Sequence, residues 1–234
     1  MERTKLSSAI SQEDRRLMLG GSELSSIKIN KHTDVEGLSR YKYDDIWKCS
    51  TDKRVLPQEA DNVELVFFSE KDWKGFGVPK SVHLYGLDEN YNVQSEIIFP
   101  KSASPVSSCL KYLRILRIEA LDKVGDPAMC GDIQAKINGH VQAYIDPAEG
   151  CSEMSHFTVP AGHTAFVYSE YITSANTHIL RKTYHPHLGS ERISEVSDSP
   201  EMFTEKTDFW LTAKASPTSN ALLYLKETIV LIED

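Results

Sequence analysis

The dipeptide Asn138-Gly139 constrains this chain more than any other feature. Both residues tolerate a positive φ, which a type I′ turn requires at its two central positions. The flanks "DIQAKI" and "HVQAYID" are short, and the first alternates polar with apolar residues. They are expected to pair antiparallel across the turn. The segment "SHFTVPAGHTAFVYSEYITS" carries a related signal. Pro160 sets one φ and Gly162 accepts a positive one, which predicts a second hairpin. There Val159 and Phe166 should enter a core, and Gly162 and His163 should sit at a surface turn.

Other segments share this character. "VELVFF" (Val63–Phe68), "SVHLYGL" (Ser81–Leu87) and "VQSEIIF" (Val93–Phe99) are short, rich in β-branched or aromatic residues, and bounded by turn residues. "KYLRILRIEAL" (Lys111–Leu121) is a helix by propensity alone. Its turn-rich flanks and neighbouring strands favour a strand carrying Tyr112, Arg114 and Ile118. "THILRKTYH", "DFWLTAKAS" and "ALLYLKETIVLIED" complete the series. Turn signals recur about every 8–14 residues, the spacing of sandwiches and barrels. The expected fold is all-β, an antiparallel β-sandwich of jelly-roll-like type, built as two packed modules with an extended N-terminal arm.

The expected boundaries are 1–45 for the arm, 46–150 for a first β module and 151–234 for a second. The second boundary follows from "DPAEGCSEMS", a turn-rich break between strand clusters. The arm is polar, with charged clusters at Glu13–Arg16 and Lys28–Asp34, and reads as poor in core-forming periodicity. Such a segment orders by lying on another protein.

The 234 residues carry a formal charge of -8, with a sequence pI near 5.5. That balance argues against a surface built to grip phosphates, so no direct nucleic-acid partner is expected. The N-terminus lacks the apolar core of a secretory signal. Apolar runs such as Ile229–Ile232 are far too short to span a bilayer. A soluble protein made in a cytoplasm, with no membrane partner, is the expectation. Cys49, Cys109, Cys130 and Cys151 contain no CxxC pair and read as free, mostly buried thiols.

"YGLDENYNVQSEIIF" (Tyr85–Phe99) raises the question of a metal loop. A calcium loop needs a longer ladder of oxygen ligands and a closing bidentate acid, which Asp88, Glu89 and Glu96 do not supply. Gly86, Asp88, Asn90 and Asn92 supply turn conformations instead, and Tyr85 and Tyr91 can pack across the strands. His178, His185 and His187 are close in sequence, and His163 offers a further ligand. Pro186 interrupts any ladder there, so a solvated loop is the preferred reading. No GxSxG elbow, P-loop or Rossmann fingerprint is present. The expected catalytic, cofactor and metal residues are therefore none, and the chain is not expected to be an enzyme. Trp47, Trp73, Phe76 and Trp210 are candidate stacking residues for a glycan, with a core or interface role preferred. In "TEKTDFW", Glu205, Lys206 and Asp208 read as charges that blunt a strand edge beside a buried Phe209.

Several segments, taken in order, resemble a known group. They are "SVHLYGLDENYNVQSEIIF", "YLRILRIEAL", "GDIQAKING", "FTVPAGHTAFV", "FTEKTDFWLTAKAS" and the terminal "LIED". Together they are similar to virion structural proteins of tailed bacteriophages, especially those of aquatic hosts. That group shows a "GLDxNYxxxSE" hairpin, a "YxRIxR" strand, a "TVPAGKTA" turn and an "EKTD" strand entry. The resemblance covers about residues 80–234. His163 stands where the group has Lys, and "FPKSASPVSSCL" is a further departure. The resemblance implies a non-enzymatic particle component, assembled in the host cytoplasm and located in the virion. It implies a capsid decoration, cement or head-fibre protein that binds the major capsid protein or other virion proteins, as a homo-oligomer. A tail or neck adaptor or fibre-attachment protein is the alternative. A carbohydrate-binding receptor-recognition module is the alternative of another class.

Overall fold

The computed structural model describes residues 26–36, 44–46, 55–73, 81–100, 102, 104–121, 131–147, 150–173, 177–186, 189–196, 199–215 and 222–233. Among these residues, sixteen strands follow in chain order. They are β1 (Ser26–Glu36), β2 (Asp44–Asp45), β3 (Asp61–Phe67), β4 (Ser81–Leu87), β5 (Val93–Ile98), β6 (Val106–Tyr112), β7 (Arg114–Leu121) and β8 (Ile133–Ile137). Then come β9 (His140–Ile145), β10 (Phe157–Thr158), β11 (His163–Thr173), β12 (Thr177–His185), β13 (Ser190–Glu195), β14 (Glu201–Phe203), β15 (Asp208–Ala215) and β16 (Leu222–Glu233). The strand pairings below are antiparallel, and the all-β expectation holds.

The chain forms two compact units. One spans Asp45–His156, and the other joins β1, from the chain before it, to the strands from Phe157 onward. The first unit is thus an insertion within the second. Its two ends are tied together, since the Ser155 N–H and hydroxyl both donate to the Ile46 carbonyl, at 3.1 and 2.7 Å. Adjacent ends are what an inserted unit needs to leave its host sheets intact.

In the inserted unit, a sheet ordered β6-β3-β8-β9 faces a sheet ordered β5-β4-β7. Period-two patterning puts alternate side chains between them: Val63, Leu65 and Phe67 from β3, and Ile133, Ala135 and Ile137 from β8. They join Val82, Leu84, Ile115 and Ile118 in one core. Asn138 and Gly139 take φ of 51° and 77°, and β8 pairs with β9 across them as expected. Gly86 marks a register shift between β4 and β7. A Cβ there would collide with the Arg114 carbonyl oxygen and stand 2.6 Å from Tyr112 Cδ1. The glycine admits close backbone approach at a bulge. Arg114, the first arginine of the "YLRILR" strand, is buried and donates to the carbonyls of Pro57 and Leu113, at 2.6 and 3.0 Å.

In the second unit, a sheet ordered β1-β16-β11-β14 faces one built on β10-β15-β12-β13. Phe157, Val159, Ala165, Val167, Phe209, Leu211, Ala213, Ile229 and Leu231 are buried. Phe209 of β15 stacks at 4.6 Å on Phe203 of β14, which joins the two sheets.

Three expectations need correction. Residues 26–36 are not part of an arm given over to another protein. They form β1 and pair with β16 along its whole length, from Ser26↔Ile232 to Glu36↔Leu222. The period-two pattern of Ile27, Ile29, Thr33 and Val35, diluted by lysines and His32, is a strand signal. Residues 1–25 of the expected arm lie outside the described residues. Second, the "PAG" turn does not close a hairpin. β10 pairs with β15, whereas β11 pairs with β16 and β14, so the turn carries the chain from one sheet to the other. Third, the unit boundary falls at His156 rather than near 150, and β1, from the chain before Asp45, belongs with the C-terminal unit.

Candidate functional site

Directly opposed residues of an antiparallel pair share a face. On the outer face of β5-β4-β7, register therefore sets Ile97, His83 and Glu119 in one row and Ser95, Tyr85 and Arg117 in the next. Cys151 extends the first row through a bridge to Glu119. The His83 and Tyr85 rings lie 3.9 Å apart at 32°. Arg117 Nη2 stands 3.3 Å from Glu119 Oε1, with both side chains more than a third or about a third exposed. A pair this wet contributes less than about 1 kcal/mol.

Burial, with a smaller contribution from Glu119 that Arg117 partly offsets, raises the Tyr85 hydroxyl above the usual phenol value. Burial also raises the Cys151 thiol, against the opposing pull of Arg117. A thiol held neutral is a poor nucleophile. The face can therefore stack, donate and accept, and its cysteine is not set up for covalent attack. Its most accessible part is apolar: Val93, Ile97 and Phe99 on the β5 side are 57%, 49% and 44% exposed.

The "GLDENYN" stretch is the β4–β5 turn. Asp88 Oδ1 accepts from the backbone N–H groups of Asn90 and Asn92, both at 2.8 Å. Asp88 Oδ2 accepts from Asn92 Nδ2 at 3.0 Å. Tyr91 takes a positive φ of 67°. Burial is the largest single influence and opposes ionisation of Asp88, but the three donors from Asn90 and Asn92 together outweigh it and hold the carboxyl below its usual value. A lowered folded-state value means stability that is present above the unfolded pKa and lost as pH falls through the folded one. Asp88→Ala is expected to cost about 1 kcal/mol at pH 7, the worth of a solvated cap. Thermal melts of both proteins should show the difference shrinking as the pH is lowered below about 4.

The "PAG" and "TEKTD" turns lock together in the second unit. Gly162 N donates to Glu205 Oε2 at 2.7 Å, Val159 N to the Thr207 carbonyl at 3.0 Å, and Lys206 N to the Val159 carbonyl at 2.8 Å. Gly162 and Lys206 hold the positive φ values of 68° and 62° that the two turns need. Val159 is buried and Gly162 exposed, as expected, and His163 Nδ1 lies 2.8 Å from the Ala161 carbonyl. Phe166 is half-buried, packed with Val230 and Ile232 on the face of β11 opposite Ala165 and Val167. Asp208 does not blunt an edge. It is fully buried and accepts from the Thr158 hydroxyl at 2.5 Å.

The remaining candidates scatter. His178 and His185 are seven residues apart on β12, an odd spacing that sends them to opposite faces. His187, Trp47, Phe76, Cys49 and Cys130 lie outside the described residues. Among the described residues no group of three or more His, Cys, Asp or Glu is placed to hold a metal ion. Trp73 packs against the core of the inserted unit, and the Trp210 ring carries Lys182 Nζ at 5.9 Å. Cys109 is exposed rather than buried.

Sequence reasoning missed two polar centres. One is the His83–Tyr85 face, signalled only by alternation with Val82 and Leu84. The other is Arg181, fully buried between the sheets of the second unit. Its Nη1 lies 2.7 Å from Glu227 Oε1, its Nε 3.3 Å from Glu201 Oε1 and its Nη2 2.6 Å from Ser169 Oγ. The guanidinium also sits 5.4 Å from the Phe209 ring centroid and 5.9 Å from that of Phe203.

No protein-family model matches the sequence, and no curated protein or solved structure matches it at a significant level.

Proposed function

We propose that this chain is a non-enzymatic structural protein of a tailed-bacteriophage virion, bound to the capsid exterior as a decoration, cement or head-fibre protein. The observation that carries the reading is the exposed apolar row Val93, Ile97 and Phe99 on the hairpin that bears the first motif of the resemblance. Clustered large apolar side chains at a surface mark a protein contact. The other residues of the resemblance serve as frame: Asp88 caps a turn, Glu205 and Gly162 clasp two turns, and Asp208 anchors Thr158. These are the parts of a scaffold that acts by area. Its partner is the major capsid protein or another virion protein, met by a homo-oligomer across more than about 1,000 Å².

The test is cryo-electron microscopy of particles carrying this protein, with the Ile97→Asp/Phe99→Asp double variant beside the wild type. Density for many copies on the head, with the β5 row facing a neighbour, is expected. The double variant should melt like the wild type and be lost from the particle. Full occupancy of the double variant, or no copies in the particle, overturns the reading.

A further inference from the structure

β13 is the terminal strand of its sheet, and it pairs with β12 in an unbroken register from His185↔Ser190 to Leu180↔Glu195. In such a ladder every second residue turns its N–H and C=O away from the neighbouring strand. No described residue meets those groups on the far side of β13. All the residues from Ser190 to Glu195 are exposed, so neither face of the strand is covered. Ile193, near its middle, is 58% exposed. A regular, open edge with an apolar centre is a template for another strand.

Register fixes the side chains that such a strand would meet. Glu191, Ile193 and Glu195 share one face with Tyr184, Lys182 and Leu180, and Ser190, Arg192 and Ser194 share the other with His185, Thr183 and Arg181. Lys182 Nζ lies 3.3 Å from Glu191 Oε1. The side chains of Arg192 and Glu195 form no ion pair or hydrogen bond among the described residues. A second copy of the strand is a poor match for this order. Two antiparallel copies related by a two-fold axis set one residue opposite its own copy. Two such registers use most of the strand. Centred on Ile193, the arrangement puts Glu191 against Glu195 twice, and centred on Arg192 it puts the two arginines together. Like charges directly opposite are destabilising.

We propose that β13 takes up an extended segment of another protein by antiparallel strand addition, and that the segment carries side chains in the order basic, polar, apolar, acidic, basic. Read from its N-terminus, that order sets basic residues against Glu195 and Glu191, an apolar residue against Ile193 and an acidic residue against Arg192. Backbone hydrogen bonds supply an attraction that any strand could share, and the charge order selects the partner. The charges that turn away a second copy are thus the ones that recognise this segment. The inference does not rest on the virion reading.

The test is NMR titration of the isotope-labelled full chain with a synthetic peptide that reads threonine, lysine, threonine, valine, glutamate, lysine, threonine. A second peptide exchanges the first lysine with the glutamate, which keeps the composition and reverses the charges opposite Glu195 and Arg192. The wild type should bind the first peptide about tenfold more tightly than the second. The largest shifts should fall on the β12 and β13 amides. The Arg192→Glu/Glu195→Lys variant changes two exposed side chains, so it should melt like the wild type, and its preference between the peptides should be reversed. N-methylation of the valine and, separately, of the glutamate backbone should abolish binding in one case only, because alternate N–H groups face β13. Equal affinity of the wild type for both peptides, an unreversed preference in the folded variant, or no binding of either peptide at about 1 mM overturns the proposal.

Discussion

Gly86→Ala is expected to unfold the Asp45–His156 unit or to leave it at the margin of stability. The added Cβ meets the Arg114 carbonyl oxygen, a backbone atom in a paired strand, together with the buried ring of Tyr112. Neither neighbour is the free end of a flexible side chain. Relief requires β4 and β7 to separate at the bulge, which pulls Leu84, Ile115 and Ile118 out of register in the core. Overpacking of a core costs about 1–3 kcal/mol where side chains can shift, and a backbone collision belongs at or above the top of that range. Hydrogen exchange read by mass spectrometry separates the two units. Peptides within 81–121 should lose protection while peptides within 157–233 keep theirs. Undiminished protection in β4 and β7 would show that the bulge relaxes at little cost.

Arg181→Ala should have an effect of similar size in the other unit. Glu227 is fully buried and has its partnered oxygen on Arg181 and Ser169, while its Oε2 has no hydrogen-bond partner among the described residues. Removing the guanidinium strands that carboxylate between two sheets and withdraws the cation from the Phe209 face. Breaking a buried pair from one side costs about 3–5 kcal/mol. Replacing both partners is different in kind, because no fully buried charge is left without its partner, and Glu201, the other carboxylate on Arg181, keeps some access to water. Arg181→Met with Glu227→Leu should recover most of the loss, and urea denaturation of the single and double variants measures the coupling directly. A double variant no more stable than Arg181→Ala would mean that shape rather than charge is what Arg181 contributes.

What the sequence made legible was local. Asn138-Gly139, Gly162 and the Asp88 turn are set by φ preferences and by donors a few residues away, so their chemistry can be read from a short string. Sheet membership is not local. Nothing in "TVPAGHTA" tells whether the chain doubles back or crosses to the facing sheet. That choice is made by Thr207 and Glu205, far along the sequence, which claim the Val159 and Gly162 backbone. Charge misleads in the same way. Asp208 and Arg181 look like surface residues because charged side chains usually are, and only their distant partners Thr158 and Glu227 make burial tolerable. β1 was hidden by lysines that dilute its alternation, and its identity as a strand depends on β16 at the opposite end of the chain.

That last pairing has a consequence for how the protein is made. A ribosome releases β1 long before β16, so the sheet holding both cannot close until β16 has followed. The inserted unit has no such dependence, because every strand of its two sheets, and the Ile46–Ser155 tie at its ends, is translated before β11. Synthesis from the N-terminus therefore favours a finished Asp45–His156 unit flanked by an unpaired β1. Until β16 arrives, β1 is an open edge, and cellular yield should depend on how quickly β16 reaches it.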